Sequence, residues 1–265
     1  MDVQKYLKIA KETADAAGEI LMSQRGTAGI EHKSRLELVT QADKDSEHLC
    51  HERLTTAFPE TGYLGEEGTS SNPGAELQWI VDPLDGTNNY AHGIPNWSVS
   101  IALRKGGETI VAVVHAPALG ETYTAVQGGG ASLNGEAICV STIDKLVRSV
   151  VVTGFPYDRG ENPQNNLDHF KAVALKVQGI RRFGSAALDL CWVGVGRFEA
   201  FWELRLAPWD MAAGWLIAKE AGARITNFSG GPLADPPTHL LCTNGLVHDE
   251  MMAALAENPA WKADE

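Results

Sequence analysis

The stretch Trp79-Ile80-Val81-Asp82-Pro83-Leu84-Asp85-Gly86-Thr87-Asn88-Asn89-Tyr90 constrains this chain more than any other. The apolar run Trp79 to Val81 predicts a buried strand. Pro83 has no N–H to donate, so the ladder is expected to stop just after Asp82. Gly86 frees the backbone for a tight turn. Two carboxylates, Asp82 and Asp85, are thus displayed where a strand runs out, as oxygen ligands suited to a hard divalent cation. Backbone amides near Gly86 and Thr87 are placed to meet an anion. A cation beside an anion is the arrangement phosphate chemistry requires.

Taken alone, Asp-Pro-Leu-Asp-Gly reads equally well as a surface turn, because these are ordinary turn residues. Two further acidic sites argue against that. Upstream, Tyr63-Leu64-Gly65-Glu66-Glu67-Gly68 sets paired carboxylates between glycines after a short apolar approach. Downstream, Ala207-Pro208-Trp209-Asp210-Met211-Ala212-Ala213-Gly214 sets an Asp at the mouth of a small-residue helix. Together they supply Glu66, Asp82, Asp85 and Asp210, enough for a site holding two or three Mg²⁺ ions.

With Leu38-Val39-Thr40-Gln41-Ala42-Asp43, Gly65-Glu66-Glu67, the Asp82–Tyr90 segment, Gly184-Ser185-Ala186-Ala187 and Trp209–Gly214, the chain resembles the inositol monophosphatase family. These motifs occur in the family's order and spread over most of the chain. The resemblance implies a five-layered αβαβα sandwich of the sugar-phosphatase type, mixing α+β and α/β organisation. It would be a single domain over 1–265, with an N-terminal α+β half to about residue 140 and a C-terminal α/β half from about 141. The metal site would lie between the halves.

The same resemblance implies the roles of individual residues. Glu66, Asp82 and the Leu84 carbonyl would hold a first metal, and Asp82, Asp85 and Asp210 a second. Glu66 would also touch a third metal through water. Thr87, oriented by Asp43, would polarise the nucleophilic water near Glu66, and the Gly86 and Thr87 amides would cradle the phosphate. Gly184, Ser185 and Ala186 would line the alcohol side, where Glu203 would accept hydrogen bonds from polyol hydroxyls. A homodimer is implied as well.

Each assignment has a plainer counterpart. Thr40 and Asp43 form a helix N-cap pair on sequence alone. Gly184 to Ala187 is an ordinary helix start, and Glu203, just after Phe201-Trp202, is an ordinary strand end. His92 and His115 read as turn or core residues, and the tryptophans 97, 192, 202, 209 and 215 as core or interface. There are departures too: Glu37 stands where many relatives place Asp, in a loop that includes Lys33 and borders the site. Arg205 reads either as charge for a second phosphate or as surface.

Composition sets outer bounds. A net charge of −12 disfavours general nucleic-acid or acidic-membrane binding. It leaves room for an anionic substrate, since bound metals reverse the local field. Cys50, Cys139, Cys191 and Cys242 are scattered without a zinc or redox spacing and read as buried free thiols, which points to a reducing, cytoplasmic setting. No signal-peptide core follows Met1, and no apolar run is long enough to span a membrane.

Val3, Tyr6, Leu7, Ala10, Ala14, Ala17, Ile20 and Leu21 predict a long first helix broken by Gly26 and Gly29. A short strand is expected over Leu36 to Val39, then a helix toward Phe58. Strands follow at Ser98 to Leu103, Thr109 to His115 and Glu121 to Val126, the first two joined through Lys105-Gly106-Gly107-Glu108. Gly128-Gly129-Gly130 is a turn, lacking the lysine and helix of a phosphate loop. After Val140 the pattern alternates: strands at Val150 to Thr153, Ile180 to Phe183, Phe198 to Trp202 and His239 to Cys242. The helices between and after them are expected at Leu167 to Val177, Ala186 to Val195, Met211 to Glu220 and Val247 to Leu255.

The expected activity is Mg²⁺-dependent hydrolysis of a small phosphorylated polyol or sugar, with inositol monophosphate favoured by Glu203. Fructose-1,6-bisphosphatase, histidinol-phosphate phosphatase and 3′-phosphoadenosine nucleotidase share the metal motifs and remain alternatives. So does a regulatory role with transcription machinery.

Overall fold

The computed structural model describes residues 2–26, 29–32, 37–233 and 239–257. Lys33 and Leu36 lie outside the described residues. The Asp2 carboxylate accepts a hydrogen bond from Lys5 N at 3.3 Å and starts α1 (Val3–Gln24). Tyr6, Ala10, Ala14, Ala17 and Leu21 recur at helical spacing and are buried, so one stripe of α1 faces the core. A small hairpin, Ile30–His32 with Leu38–Thr40, leads into α2 (Gln41–Ala57). Thr40 and Asp43 cap that helix reciprocally, as their spacing predicts.

The larger sheet has eight strands, in spatial order Glu136–Ala137, Ala131–Leu133, Glu121–Val126, Glu108–Ala116, Ser98–Lys105, Leu77–Asp85, Gly62–Gly65 and Ser70–Ser71. Alternate residues on its central strands face opposite cores. Trp79, Val81, Val99, Ile101 and Val113 pack toward α1 and α2, while Ile80, Ala102, Ala112 and Val114 pack the other way. Each fully buried large side chain among these contributes roughly 1.5–3 kcal/mol. Both faces are therefore covered.

The strand carrying the two carboxylates does not stop at Pro83. It runs from Leu77 to Asp85, with a register shift: Asp82 pairs with Ser100 and Asp85 with Ser98. Pro83 and Leu84 form a bulge, where a missing N–H costs no ladder bond, and the ladder resumes after it. Gly86, at φ 101°, then turns the chain into α3 (Thr87–Ala91). A Cβ at Gly86 would come within 2.9 Å of the Asn96 carbonyl, so the turn requires glycine on both counts.

The smaller sheet has five strands in the order Gly179–Arg181, Val150–Thr153, Ala200–Leu204, His239–Thr243 and Arg224–Thr226. The first three are mutually parallel and the last two pairings antiparallel. Among the described residues four further helices follow: α4 (Leu167–Ala174), α5 (Ala186–Gly194), α6 (Pro208–Glu220) and α7 (His248–Ala256). Helices α5 and α6 share one core with the inner faces of both sheets. Helices α4 and α7 cover the outer face of the smaller sheet through Val173, Val247, Met251 and Leu255. The layers are α1/α2, large sheet, α5/α6, small sheet, α4/α7, the expected αβαβα order.

Helices α5 and α6 approach closely because Gly214 faces α5: a Cβ there would sit 2.8 Å from Leu190 Cβ and 2.9 Å from the Ala187 carbonyl. That approach brings the N-terminal ends of the two helices together near the carboxylate strand. The thiols are all free, but Cys139 is exposed beyond the short edge strand Glu136–Ala137, so burial holds only for Cys50, Cys191 and Cys242. Trp97, Trp192 and Trp202 are core, and Trp209 and Trp215 pack against it partly buried. Among the described residues no helix is long and apolar enough to cross a membrane.

Candidate active site

One face of α2 organises the N-terminal side of the site. Positions 43, 46 and 47 share a helix face. Asp43 Oδ1 accepts from the Thr87 hydroxyl at 3.1 Å, while Oδ2 takes the Thr40 N–H at 2.8 Å and the Thr40 hydroxyl at 2.5 Å. Asp43 therefore caps its helix and fixes Thr87 at once. Burial raises its pKa against these bonds, which favour the charged form. Ser46 donates to the Pro83 carbonyl at 3.0 Å and pins the bulge. Buried Glu47 accepts from Glu67 N at 2.8 Å and Thr69 N at 2.9 Å, fixing the loop that carries Glu66. A Cβ on Gly65 would collide with the Glu47 carboxylate, so Gly65 is what admits this contact.

The bulge sets the second group. Asp82 Oδ1 accepts from Leu84 N at 2.9 Å, and its carboxyl lies within hydrogen-bonding reach of Glu66. The Thr87 hydroxyl also lies 3.0 Å from the Leu84 carbonyl. Asp85 points across to the C-terminal layers: Oδ2 accepts from the Ser185 hydroxyl at 2.6 Å and Ala187 N at 2.8 Å, and Oδ1 from Ala186 N at 3.2 Å. A carboxylate on these amides is well placed against the α5 dipole. Ser185 and Ala186 line the cleft, and their donors are engaged by Asp85. Asp210, in the first turn of α6, accepts from Ala207 N at 2.7 Å. Asn89, in α3, donates to Asn96 O at 2.7 Å and Phe183 O at 2.6 Å, tying the turn to the segment ahead of Gly184.

These carboxylates share one desolvated neighbourhood. Burial raises Asp82 well above the usual carboxylate range, and Glu66, Asp85 and Asp210 raise it further. Asp210 is raised in the same way, by burial first and then by Glu66 and Asp85. Burial also lifts Asp85, to about 6, opposed by its Ser185 and Ala187 bonds. Such a group of like charges calls for a compensating cation, and an all-oxygen set suits a hard one. Among the described residues no three acidic, His or Cys side chains already stand as a closed ligand set. Asp82, Asp85 and Asp210 each accept hydrogen bonds from protein donors. The residue types, burial and mutual charge fit a divalent cation.

A cleft of about 360 Å³ opens beside the cluster, lined by Asp85, Asp210, Ser185, Glu203, Arg205 and Tyr157 among others. Glu203 keeps part of its surface on the cleft, yet packing around it pushes its carboxyl up to about 8, with Arg182 opposing. It lies so close over Gly154 that no Cβ fits there. Arg205 donates to Asp158 at 2.5 Å and to the Gln164 carbonyl at 3.2 Å. It is neither idle surface nor a free cation; it clamps a loop. Larger hollows of about 810 Å³ between α1 and α2, and about 580 Å³ beside α6, lie away from the carboxylate cluster.

The family model described as "Inositol monophosphatase family" matches residues 2–260. The chain belongs to the inositol monophosphatase family. An inositol-1-monophosphatase of Synechocystis is 41% identical over 98% of this chain and 92% of its own. A Nus factor SuhB of Pseudomonas aeruginosa is 39% identical over 86% of this chain and 87% of its own. The solved inositol monophosphatase of Anabaena superposes with a TM-score of 0.90 at 39% identity, covering 98% of this chain and all of that one.

Sequence reasoning missed Ser46, Glu47, Asn89 and Tyr157. The first two carried a faint signal, polar residues at the helical spacing of Asp43. Asn89 lay inside the quoted motif without a role.

Proposed function

We propose that this inositol monophosphatase family member is a Mg²⁺-dependent phosphomonoesterase that converts inositol monophosphate to inositol and phosphate. The observation that carries it is the convergence of buried Asp82 and Asp85 with part-buried Glu66 and Asp210, beside a cleft that Asp85 and Asp210 line. Two or three Mg²⁺ ions held by these residues and the Leu84 carbonyl would screen the phosphate charge, lower the pKa of water and stabilise the departing alkoxide. The chain's own residues do the positioning. Thr87, fixed by Asp43 and the Leu84 carbonyl, presents its oxygen to the attacking water beside Glu66. Water oxygen bonds to phosphorus, the ester P–O bond breaks, and the alcohol leaves carrying a proton. The Gly86 and Thr87 amides meet phosphoryl oxygens, and Gly184, Ser185, Ala186 and Glu203 border the alcohol. A cytoplasmic homodimer belongs to the same proposal.

The test is phosphate release from a panel of inositol, sugar and nucleotide phosphates, with Mg²⁺ and with excess chelator. Release from inositol monophosphate that chelator abolishes is expected; undiminished release in chelator would overturn the metal assignment. Glu203→Ala should lower kcat/KM for inositol monophosphate far more than for an aryl phosphate, because an unmatched polar site discriminates strongly. Equal losses would make Glu203 structural. The relative named as a Nus factor favours a second, regulatory reading. Absence of turnover on the whole panel would move the assignment there.

A further inference from the structure

The bulge at Pro83 and Leu84 sets the register of the neighbouring strand Ser98–Lys105: Asp82 pairs with Ser100 and Asp85 with Ser98. Ser98 and Ser100 are two residues apart, so their side chains share one face of the sheet. Residues directly opposite in an antiparallel pair share a face too, with Cβ atoms about 4.5–5.5 Å apart. The bulge absorbs the odd residue between the carboxylates. Asp82 and Asp85 are thereby turned to the same side, each with a serine beside it. That side is the one that meets α5 and α6. Val99, Ile101 and Leu103 pack toward α1 and α2, while Ala102 packs the other way.

The two serines differ. Ser100 donates to the Trp209 carbonyl at 3.4 Å. Ser98 is 0% exposed, and its hydroxyl makes no hydrogen bond among the described residues. Solvent does not reach it, and its neighbour on the other side is apolar, since the pairing of Val99 with His115 sets Ala116 beside it. An unpaired buried hydroxyl carries its full desolvation penalty, and in a native fold it calls for an explanation. The acceptor opposite it is the Asp85 carboxylate. Both Asp85 oxygens are turned to α5, held by the Ser185 hydroxyl, Ala187 N and, at 3.2 Å, Ala186 N. To offer an oxygen to a cation, Asp85 gives up at least one of these bonds, and the bond from Ala186 is the longest. A ligating carboxylate is itself held by donors around it. Ser98 is an uncommitted donor on the sheet side of Asp85, and rotation about its one side-chain bond re-aims it.

We propose that Ser98 is a positioning residue of the metal site, whose hydroxyl donates to the Asp85 carboxylate when Asp85 serves as a ligand. Asp85 is then held from the sheet as well as from α5. This rests on the metal assignment within the phosphatase reading.

The experiment compares the full chain with its Ser98→Ala variant, which removes the hydroxyl and nothing else. Calorimetry reads the Kd of Mg²⁺ alone, thermal melts are run in chelator and across a Mg²⁺ series, and phosphate release from inositol monophosphate is followed in parallel. Loss of one hydrogen bond to a charged acceptor corresponds to about tenfold or more, the range expected of a residue that orients a metal ligand. Ser98→Ala should weaken Mg²⁺ by about that factor, and its Tm should need correspondingly more Mg²⁺ to rise. In chelator its Tm should equal or exceed that of wild type, because the hydroxyl has no protein partner to lose. Unchanged Mg²⁺ affinity would overturn the proposal and leave Ser98 a packing residue. A lower Tm in chelator would overturn it as well, since the hydroxyl would then serve the fold without the cation. Wild type that shows neither heat nor a rise in Tm with Mg²⁺ would defeat the metal assignment and this proposal with it. Wild type that binds Mg²⁺ but hydrolyses no ester would defeat the phosphatase reading alone, and the binding comparison would still decide the role of Ser98.

Discussion

Glu47→Gln is the sharpest probe of how the site is held, because it changes one oxygen of a buried side chain outside the proposed ligand set. The Glu47 carboxylate accepts two backbone bonds, from Glu67 N at 2.8 Å and Thr69 N at 2.9 Å. Glutamine keeps one acceptor oxygen and turns an NH₂ group toward the other N–H. One charge-assisted bond is lost and a buried donor is left unpaired, at a cost of about 1.5–3 kcal/mol. For a chain of this size each kcal/mol shifts Tm by about 2–4 °C, so a fall of roughly 3–12 °C is expected in chelator. The functional effect is larger than an ordinary core defect of that size, because the loosened loop carries Glu66. Residues that orient metal ligands typically contribute about 10–100-fold to affinity or activity. The assay is turnover against Mg²⁺ concentration: half-saturation should rise and kcat fall together. A variant that melts early yet keeps wild-type Mg²⁺ dependence and kcat would refute the positioning argument and leave Glu47 a structural residue.

Three other outcomes are expected. Asp82→Asn should remove nearly all turnover and raise Tm in chelator, since it neutralises a buried carboxylate that burial and three neighbours already disfavour; an unchanged rate would make Asp82 a turn residue only. Gly86→Ala should abolish activity and destabilise the fold by at least about 1–2 kcal/mol, the ordinary cost of a left-handed non-glycine residue, before the contact with the Asn96 carbonyl is added; a wild-type melt would contradict the turn geometry. Arg205→Ala should lower kcat/KM for a monophosphate and a bisphosphate alike, because its guanidinium is engaged by Asp158 and Gln164; a selective bisphosphate loss would reassign it to a second phosphate.

The layered fold was legible wherever an element was long and apolar. The helix of Val3–Gln24 buries one regular stripe, the helix of Pro208–Glu220 and the strands of Ser98–Lys105 and Glu108–Ala116 are apolar and buried on both sides, and their positions follow within a few residues. Leu167 to Val177 overruns by three residues, since α4 ends at Ala174. The strand expected at Phe198 begins instead at Ala200 and runs to Leu204. Short pieces such as Ala131–Leu133 and Arg224–Thr226 carry too few residues to show alternation; a neighbouring strand makes them strands. Pro83 was misleading for a definite reason. It reveals a missing donor but not whether the partner strand needs one there, and a bulge removes the need.

The site divides along a similar line, and the division bears on stability against pH. Carboxylates beside glycines and strand ends are visible in sequence because the proposed ligand chemistry calls for those residue types in those turns. What holds them is not visible, since Glu47 reaches 20 and 22 residues and Asn89 reaches 94. Their mutual desolvation is a property of the fold alone, and it has a measurable sign. Asp85 is raised to about 6, and Asp82 and Asp210 are raised well above the ordinary range. The unfolded chain titrates near about 3.9 at such groups. The folded, metal-free protein thus binds extra protons, and the stability this contributes is present below about pH 4 and lost as pH rises through the raised values. In chelator the Tm should fall across about pH 4 to 6 through Asp85 and further above that through Asp82 and Asp210. Saturating Mg²⁺ should flatten the decline, because the cation takes the place of the protons. Parallel Tm curves with and without Mg²⁺ over that range would show that the four carboxylates neither repel one another nor share a cation, and the metal assignment would fall with them.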